Sequence, residues 1–287
     1  VSGEDLHKFC APGSSVREEE VIINPQVTLR LLVFTPARES GNPAVVFIPG
    51  WISLIDGWGE VLREMTRDFT IYYLETREKT TARVRGKADY SVAVIAGDIH
   101  NYIKNQLPGG GAYLLFASSL GATAVLDCAA GLDPEPRCLV LVAPNAVFRV
   151  PRFWKMVIML FYPPLYSLIK PAVKWYLRTF RMNVEADRAQ YDKYCRALDG
   201  ADAYKLKKAA TSLWSYSVWD KLADITSPVL IIGASQDKLH EPENLKKMCQ
   251  MLPKATYLDL ETNSGTHSRG MVQQMRQYLK KIEGISR

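Results

Sequence analysis

The stretch with the clearest chemical potential joins an apolar run, Tyr113-Leu114-Leu115-Phe116, to Ala117-Ser118-Ser119-Leu120-Gly121-Ala122, after which a small-residue helix begins. A serine on such a strand-to-helix turn sits in a strained backbone conformation with its hydroxyl raised above the sheet, and small residues two positions to either side let strand and helix approach. The pattern here is Ala-x-Ser-x-Gly, centred on Ser119. Centring it on Ser118 puts Phe116 and Leu120 where small residues are needed. Serine is also a favoured helix N-cap, so the turn gains chemical meaning only with partners. A hydroxyl is a weak nucleophile near neutral pH and needs a base to take its proton and an acid to hold that base in one tautomer.

Four histidines are available as the base. His7 precedes the first strand-like run and His100 falls inside a helical stretch, while His240 follows Asp237 by three residues on the same loop. His267 stands in a polar loop, Thr262-Asn263-Ser264-Gly265-Thr266-His267-Ser268, between the last strand-like run and the last helix.

With serine, acid and histidine in that chain order, the sequence resembles the α/β-hydrolase family over nearly its whole length. The resemblance implies Ser119 as nucleophile, His267 as general base and Asp237 as the orienting acid, on the loop Gly233-Ala234-Ser235-Gln236-Asp237 after the penultimate strand. Some members carry the acid one strand earlier, but that loop reads Ala143-Pro144-Asn145-Ala146 and has no charge. Asp259 and Glu261 close the last strand and are read as solvated edge charges. An oxyanion hole is implied from the backbone N–H of Leu120 and of Trp51, the latter in Pro49-Gly50-Trp51. The family's Asp-x-Arg-Gly-x-Gly stretch is met by Glu75-Thr76-Arg77-Glu78-Lys79-Thr80, which keeps the acid and the arginine and loses both glycines. Glu75 and Arg77 are therefore expected to serve structure. The implied chemistry calls for no cofactor and no metal.

Strands must carry these loops. Apolar, β-rich runs recur at 21–24, 28–34, 44–48, 70–74, 112–117, 138–142, 229–232 and 255–258, with helical stretches at 57–67, 90–106, 120–131 and 268–282. From the third run onward they are near-continuously apolar, as in strands covered on both faces of a parallel sheet. The first two read as an antiparallel entry hairpin, and Pro108-Gly109-Gly110-Gly111 as a flexible turn. The expected fold is α/β: a mostly parallel eight-stranded sheet with helices on both faces. The alternation breaks over 147–222, where the sequence is aromatic, basic and helix-like. That stretch is expected to be an inserted helical cap or lid between core segments 1–146 and 223–287.

The 287 residues are 47% hydrophobic and 23% charged, the balance of a soluble globular chain. Five scattered cysteines show no metal or disulfide spacing and are read as reduced thiols, which makes a cytoplasmic location the expectation. Residues 1–12 hold no apolar run of the signal-peptide kind. The net charge of +6 comes with no nucleic-acid-binding module, so nucleic acid is not expected as a partner. The basic excess is uneven, since no Asp or Glu lies between Glu135 and Glu185 while Arg137, Arg149, Arg152, Lys155, Lys170, Lys174, Arg178 and Arg181 do. In that segment Lys155, Pro163 and Pro164 divide the apolar stretch, which is too interrupted to span a bilayer. Its apolar face is expected to pack on the core, to line an acyl pocket, or to rest on an anionic membrane surface as a peripheral contact.

The expected activity is hydrolysis of a small-molecule carboxylic ester with a hydrophobic acyl or alkyl part, through an acyl-enzyme. Acyl transfer or thioester cleavage by the same triad is the enzymatic alternative. A non-catalytic binding protein of this fold is the alternative from another class. Serine at the elbow speaks against halide- or epoxide-directed chemistry, which uses aspartate there.

Overall fold

Among the described residues, side chains that alternate between two helical layers build a sheet of nine strands. In the computed structural model, which describes residues 5–86, 88–108, 111–148, 150–182, 184–185, 187–237 and 240–285, the strands are β1 (Ser15–Asn24), β2 (Val27–Thr35), β3 (Ala44–Ile48), β4 (Ile71–Leu74), β5 (Arg83–Val84), β6 (Tyr113–Ser118), β7 (Cys138–Val142), β8 (Val229–Gly233) and β9 (Ala255–Asp259). Gly109 and Gly110 of the expected turn, and Arg149 of the basic run, lie outside the described residues. The strand order is β1-β2-β4-β3-β6-β7-β8-β9, with β5 paired to β2. Pairings β1/β2, β2/β4 and β2/β5 are antiparallel, and every pairing from β4/β3 to β8/β9 is parallel.

The helices are α1 (Gly59–Met65), α2 (Val92–Gln106), α3 (Ser119–Cys128), α4 (Arg152–Leu160), α5 (Tyr166–Tyr176), α6 (Arg188–Asp199), α7 (Ala203–Leu213), α8 (Pro242–Met251), α9 (Asn263–Thr266) and α10 (Arg269–Ile285). Val46, Ile48 and Leu115 point to one face and pack with α2, α3 and α8, whereas Val45, Phe47 and Phe116 point to the other and pack with α1 and α10. Both faces are thus dry, which is why β3 and β6 read as unbroken apolar runs. On α10 the buried Met271, Val272, Met275 and Leu279 fall on one helical face.

Two strand features were invisible to hydrophobicity. β1 begins six residues earlier than its apolar part, because Ser15 to Glu20 form an edge strand with charged, largely exposed side chains. Charges on an edge blunt unwanted strand pairing and hide the strand from an apolar count. β5 is two residues long and shows no period.

Helices α4–α7 lie between β7 and β8. The base of this excursion is closed by an antiparallel bridge between Val147 and Ser217 and by the Val218 N–H donating to the Ala146 carbonyl at 3.0 Å.

The elbow depends on one close approach. A Cβ on Gly121 would stand 2.5 Å from the Pro49 carbonyl oxygen and 2.7 Å from that of Ile48, while Ala117, the other small position, is accommodated and fully buried. The glycine of the pattern is thus required by β3 and its following loop, and the alanine is not a defect. Gly121→Ala is expected to cost about 1–3 kcal/mol by overpacking. Thermal unfolding checks it against Gly131→Ala, whose Cβ would meet nothing within 4 Å.

Candidate active site

Ser119 is the first residue of α3 and has a left-handed φ of 48°, whereas Ser118 before it is extended. For a residue with a side chain this backbone conformation is strained, and it persists because β6 and α3 on either side are packed. Ser119 Oγ accepts a hydrogen bond from Asn145 Nδ2 at 3.1 Å. Thr123, one turn into α3, fixes Asn145 in return: its Oγ1 donates to the Asn145 carbonyl at 2.9 Å and accepts from the Asn145 N–H at 3.0 Å.

The second neighbour of Ser119 Oγ is His240 Nε2, at 3.2 Å. His240 Nδ1 lies 3.0 Å from Asp237 Oδ2, and both residues are buried. Against a carboxylate, Nδ1 carries the proton, which leaves the Nε2 lone pair facing the serine hydroxyl. Asp237 Oδ1 accepts from Gln190 Nε2 at 3.1 Å. The arrangement is a continuous relay from carboxylate to imidazole to hydroxyl.

His267, the histidine expected on Ser119, is instead bonded elsewhere, and His240 stands in that place. His267 Nδ1 donates to the Asn263 carbonyl at 2.9 Å, so the lone pair is on Nε2, and Lys193 Nζ stands 3.2 Å from that atom. The ring stacks on Trp58 with centroids 4.0 Å apart. Burial, reinforced by the Lys193 cation, holds His267 well below the ordinary histidine pKa. The physical reason is local. The short helix α9 presents its first carbonyl to the histidine one turn on, and Asp237 is already engaged by His240, three residues away on its own loop. Asp237 stands where the sequence placed it, at the carboxyl end of β8.

Helix α6 closes the site from the excursion. Asp187 caps it by accepting from the Gln190 N–H at 2.9 Å, and the same carboxylate accepts from Ser264 N–H and Oγ at 2.8 Å. Gln190 reaches Asp237, and Lys193 Nζ donates to Asn263 Oδ1 at 2.7 Å as well as facing His267. The spacing of 187, 190 and 193 puts these three on neighbouring turns of one side of the helix.

Burial lowers the Lys193 pKa to about 8. Between about pH 8 and 10.5 the unfolded chain binds the proton that the folded chain has released, so stability rises with pH across that window. Wild-type protein is expected to gain on the order of 2 kcal/mol over that window relative to Lys193→Met, after allowance for partial screening. Denaturant unfolding of both proteins across the window measures this, and parallel pH dependences would refute it.

The loop after β3 is held by Lys79, whose buried Nζ donates to the carbonyls of Gly50 at 2.7 Å and Ser53 at 2.8 Å. Burial lowers the pKa of that ammonium, opposed by Glu78 and Glu75. The Gly50 carbonyl and the Trp51 N–H belong to one trans peptide and point oppositely, so the lysine also fixes the direction of the Trp51 N–H. A Cβ on Gly50 would crowd Ser119 Cβ at 3.1 Å and Ser118 Oγ at 3.2 Å. Leu120 lies in the first turn of α3, where backbone N–H groups have no intrahelical acceptor. In the neighbouring loop Arg77 makes a buried two-pronged pair with Asp98, at 2.6 and 2.5 Å, and Glu75 bonds Thr81.

Ser119, His240 and His267 open on one cavity of about 410 Å³, within the usual range for small-molecule sites. Its far wall is apolar and comes from the excursion: Trp154, Val157 and Ile158 of α4, and Ile169, Val173 and Tyr176 of α5. Among the described residues no three His, Cys, Asp or Glu side chains group to hold a metal ion.

Asn145, His240, Gln190 and Lys193 were not assigned to the site from sequence. His240 left a signal there, its position three residues after Asp237, and Asn145 fell in the loop set aside for want of a charge. Gln190 and Lys193 depend on how α6 docks.

An open, mostly parallel sheet with a serine elbow between β6 and α3 defines the α/β-hydrolase class, and the profile of the alpha/beta hydrolase family matches residues 45–279. The chain belongs to that family. Among solved structures it resembles a hydrolase from Pseudomonas aeruginosa (TM-score 0.74, 14% identity, 93% of this chain and 98% of that one). It also resembles an enol-lactonase from Burkholderia xenovorans (TM-score 0.73, 13% identity, 93% and 100% covered). A third is a thermophilic esterase from Thermogutta terrifontis (TM-score 0.70, 15% identity, 93% and 99% covered). No curated protein matches the sequence.

Proposed function

We propose that the protein is a serine hydrolase of carboxylic esters bearing a sizeable apolar acyl or alkyl group. The observation that carries this reading is the relay Asp237–His240–Ser119, hydrogen-bonded at 3.0 and 3.2 Å and opening on a cavity with an apolar wall. Family membership and neighbours described as an esterase and an enol-lactonase support it.

In the proposed reaction Ser119 Oγ attacks the ester carbonyl carbon as its proton passes to His240 Nε2, and the carbonyl π pair moves onto oxygen. That oxyanion is met by the N–H groups of Leu120 and Trp51, the second aimed by Lys79. Collapse breaks the bond to the leaving alkoxide, which takes the proton from His240. Water then attacks the acyl-enzyme with His240 again as base, releasing the acid and restoring Ser119. Asp237 stabilises the imidazolium formed in each half, and Gln190 holds its other oxygen. Asn145 fixes the serine rotamer toward His240.

A series of p-nitrophenyl esters from acetyl to dodecanoyl tests the substrate class. Each methylene buried is worth about 0.8 kcal/mol, so kcat/KM is expected to rise about two- to fourfold per methylene until the cavity is filled. A rate that is greatest for acetyl and falls with length would defeat the assignment of an apolar acyl group.

A further inference from the structure

We propose that the outer side of α4 and α5 is a docking surface for an anionic lipid bilayer. These helices are apolar on two sides. The inner side lines the cavity, and the outer side leaves Phe153, Leu160, Leu168 and Trp175 exposed at 62%, 75%, 73% and 60% of their surface. Phe153, Met156 and Leu160 recur at helical spacing on α4, as do Leu168 and Trp175 on α5, so each helix presents a stripe rather than scattered side chains. Large apolar side chains left exposed in this number on neighbouring helices mark an interaction site.

Charge selects the partner. No acidic residue occurs between Glu135 and Glu185. Lys170 and Lys174 are engaged by Asp199, whereas the arginines Arg152 and Arg178 flank the apolar stripes and are exposed. A second copy of the chain would set these arginines against their own counterparts. An anionic lipid surface answers them, at about 1 kcal/mol for each cation brought near it.

Geometry selects docking over spanning. Among the described residues no single helix is long and apolar enough to cross a membrane, and α4 meets the following helical segment, Pro163–Arg181, at 111°. The apolar run is bent sharply between the two segments, and both carry exposed apolar side chains. Tyr162 and Trp175, exposed and amphipathic, suit the headgroup level.

The proposal goes beyond the hydrolytic reading and does not depend on it, so its test reads binding alone. The full chain is sedimented with sucrose-loaded vesicles of phosphatidylcholine, or of phosphatidylcholine and phosphatidylglycerol in equal parts. Partitioning onto the mixed vesicles is expected to exceed that onto neutral ones about tenfold and to weaken with salt. Leu160→Glu with Leu168→Glu, both at exposed positions, is expected to reduce it about tenfold or more with an unchanged melting temperature. Arg152→Glu with Arg178→Glu is expected to bring anionic binding down to the neutral level. Equal partitioning onto both vesicles, or none onto either, overturns the proposal. So does a concentration-dependent dimer without vesicle binding that the double leucine variant dissolves.

Discussion

Ser119→Ala is expected to abolish covalent labelling by a fluorophosphonate and to lower kcat on a nitrophenyl ester by about ten-thousandfold or more, with KM changed only a few-fold. The substitution removes one oxygen from a half-buried position and leaves the backbone of the elbow, the cavity wall and both proposed N–H donors in place. Substrate therefore still binds, and the covalent step is lost. Asn145 and His240 each lose their bond to Ser119 Oγ, but the Thr123 and Asp237 contacts that hold them remain. A melting temperature close to the parent's is the accompanying expectation. Labelling that survives the substitution would shift the nucleophile to another side chain, beginning with the adjacent Ser118.

The second large effect separates two histidines that share one cavity. His240→Gln is expected to lower kcat about ten-thousandfold, because it removes the group that takes the serine proton. His267→Gln is expected to lower it less than about tenfold, since His267 gives its lone pair to Lys193. The acid limb of the pH–rate profile offers an independent check, the rate falling wherever the base becomes protonated. Burial holds His267 well below the ordinary value of 6.5. A limb displaced far to acid, together with an inactive His267→Gln and an active His240→Gln, would return the base to His267. Lys193 would then have to withdraw before turnover.

Much of this was legible in the sequence, for reasons that the packing explains. Strands β3, β6, β7 and β8 are buried on both faces, so their residues are apolar without a break and their ends are sharp; Cys138–Val142 coincides with its expected run. The elbow was readable because Gly121 answers a collision with two carbonyls. The expected base was less readable. His240 and His267 both follow β8 in sequence, and which of them reaches Ser119 depends on the three-residue path from Asp237 and on Lys193, which a separate helix supplies. The helices of the excursion were readable as helices. Their polar side toward the site was not, since Asp187, Gln190 and Lys193 look like any solvated stripe until the helix is docked.

That stripe on α6 has a consequence for how such proteins diversify. The oxygen of Asp237 that His240 does not use is held by Gln190, and the loop bearing His267 is tied down by Asp187 and Lys193. In the proposed reaction, selectivity and reactivity are therefore not assigned to separate parts of the chain. A chimaera that keeps this sheet and takes its excursion from a relative would inherit a new pocket together with a differently tuned acid and base, and its pH optimum would move along with its substrate preference.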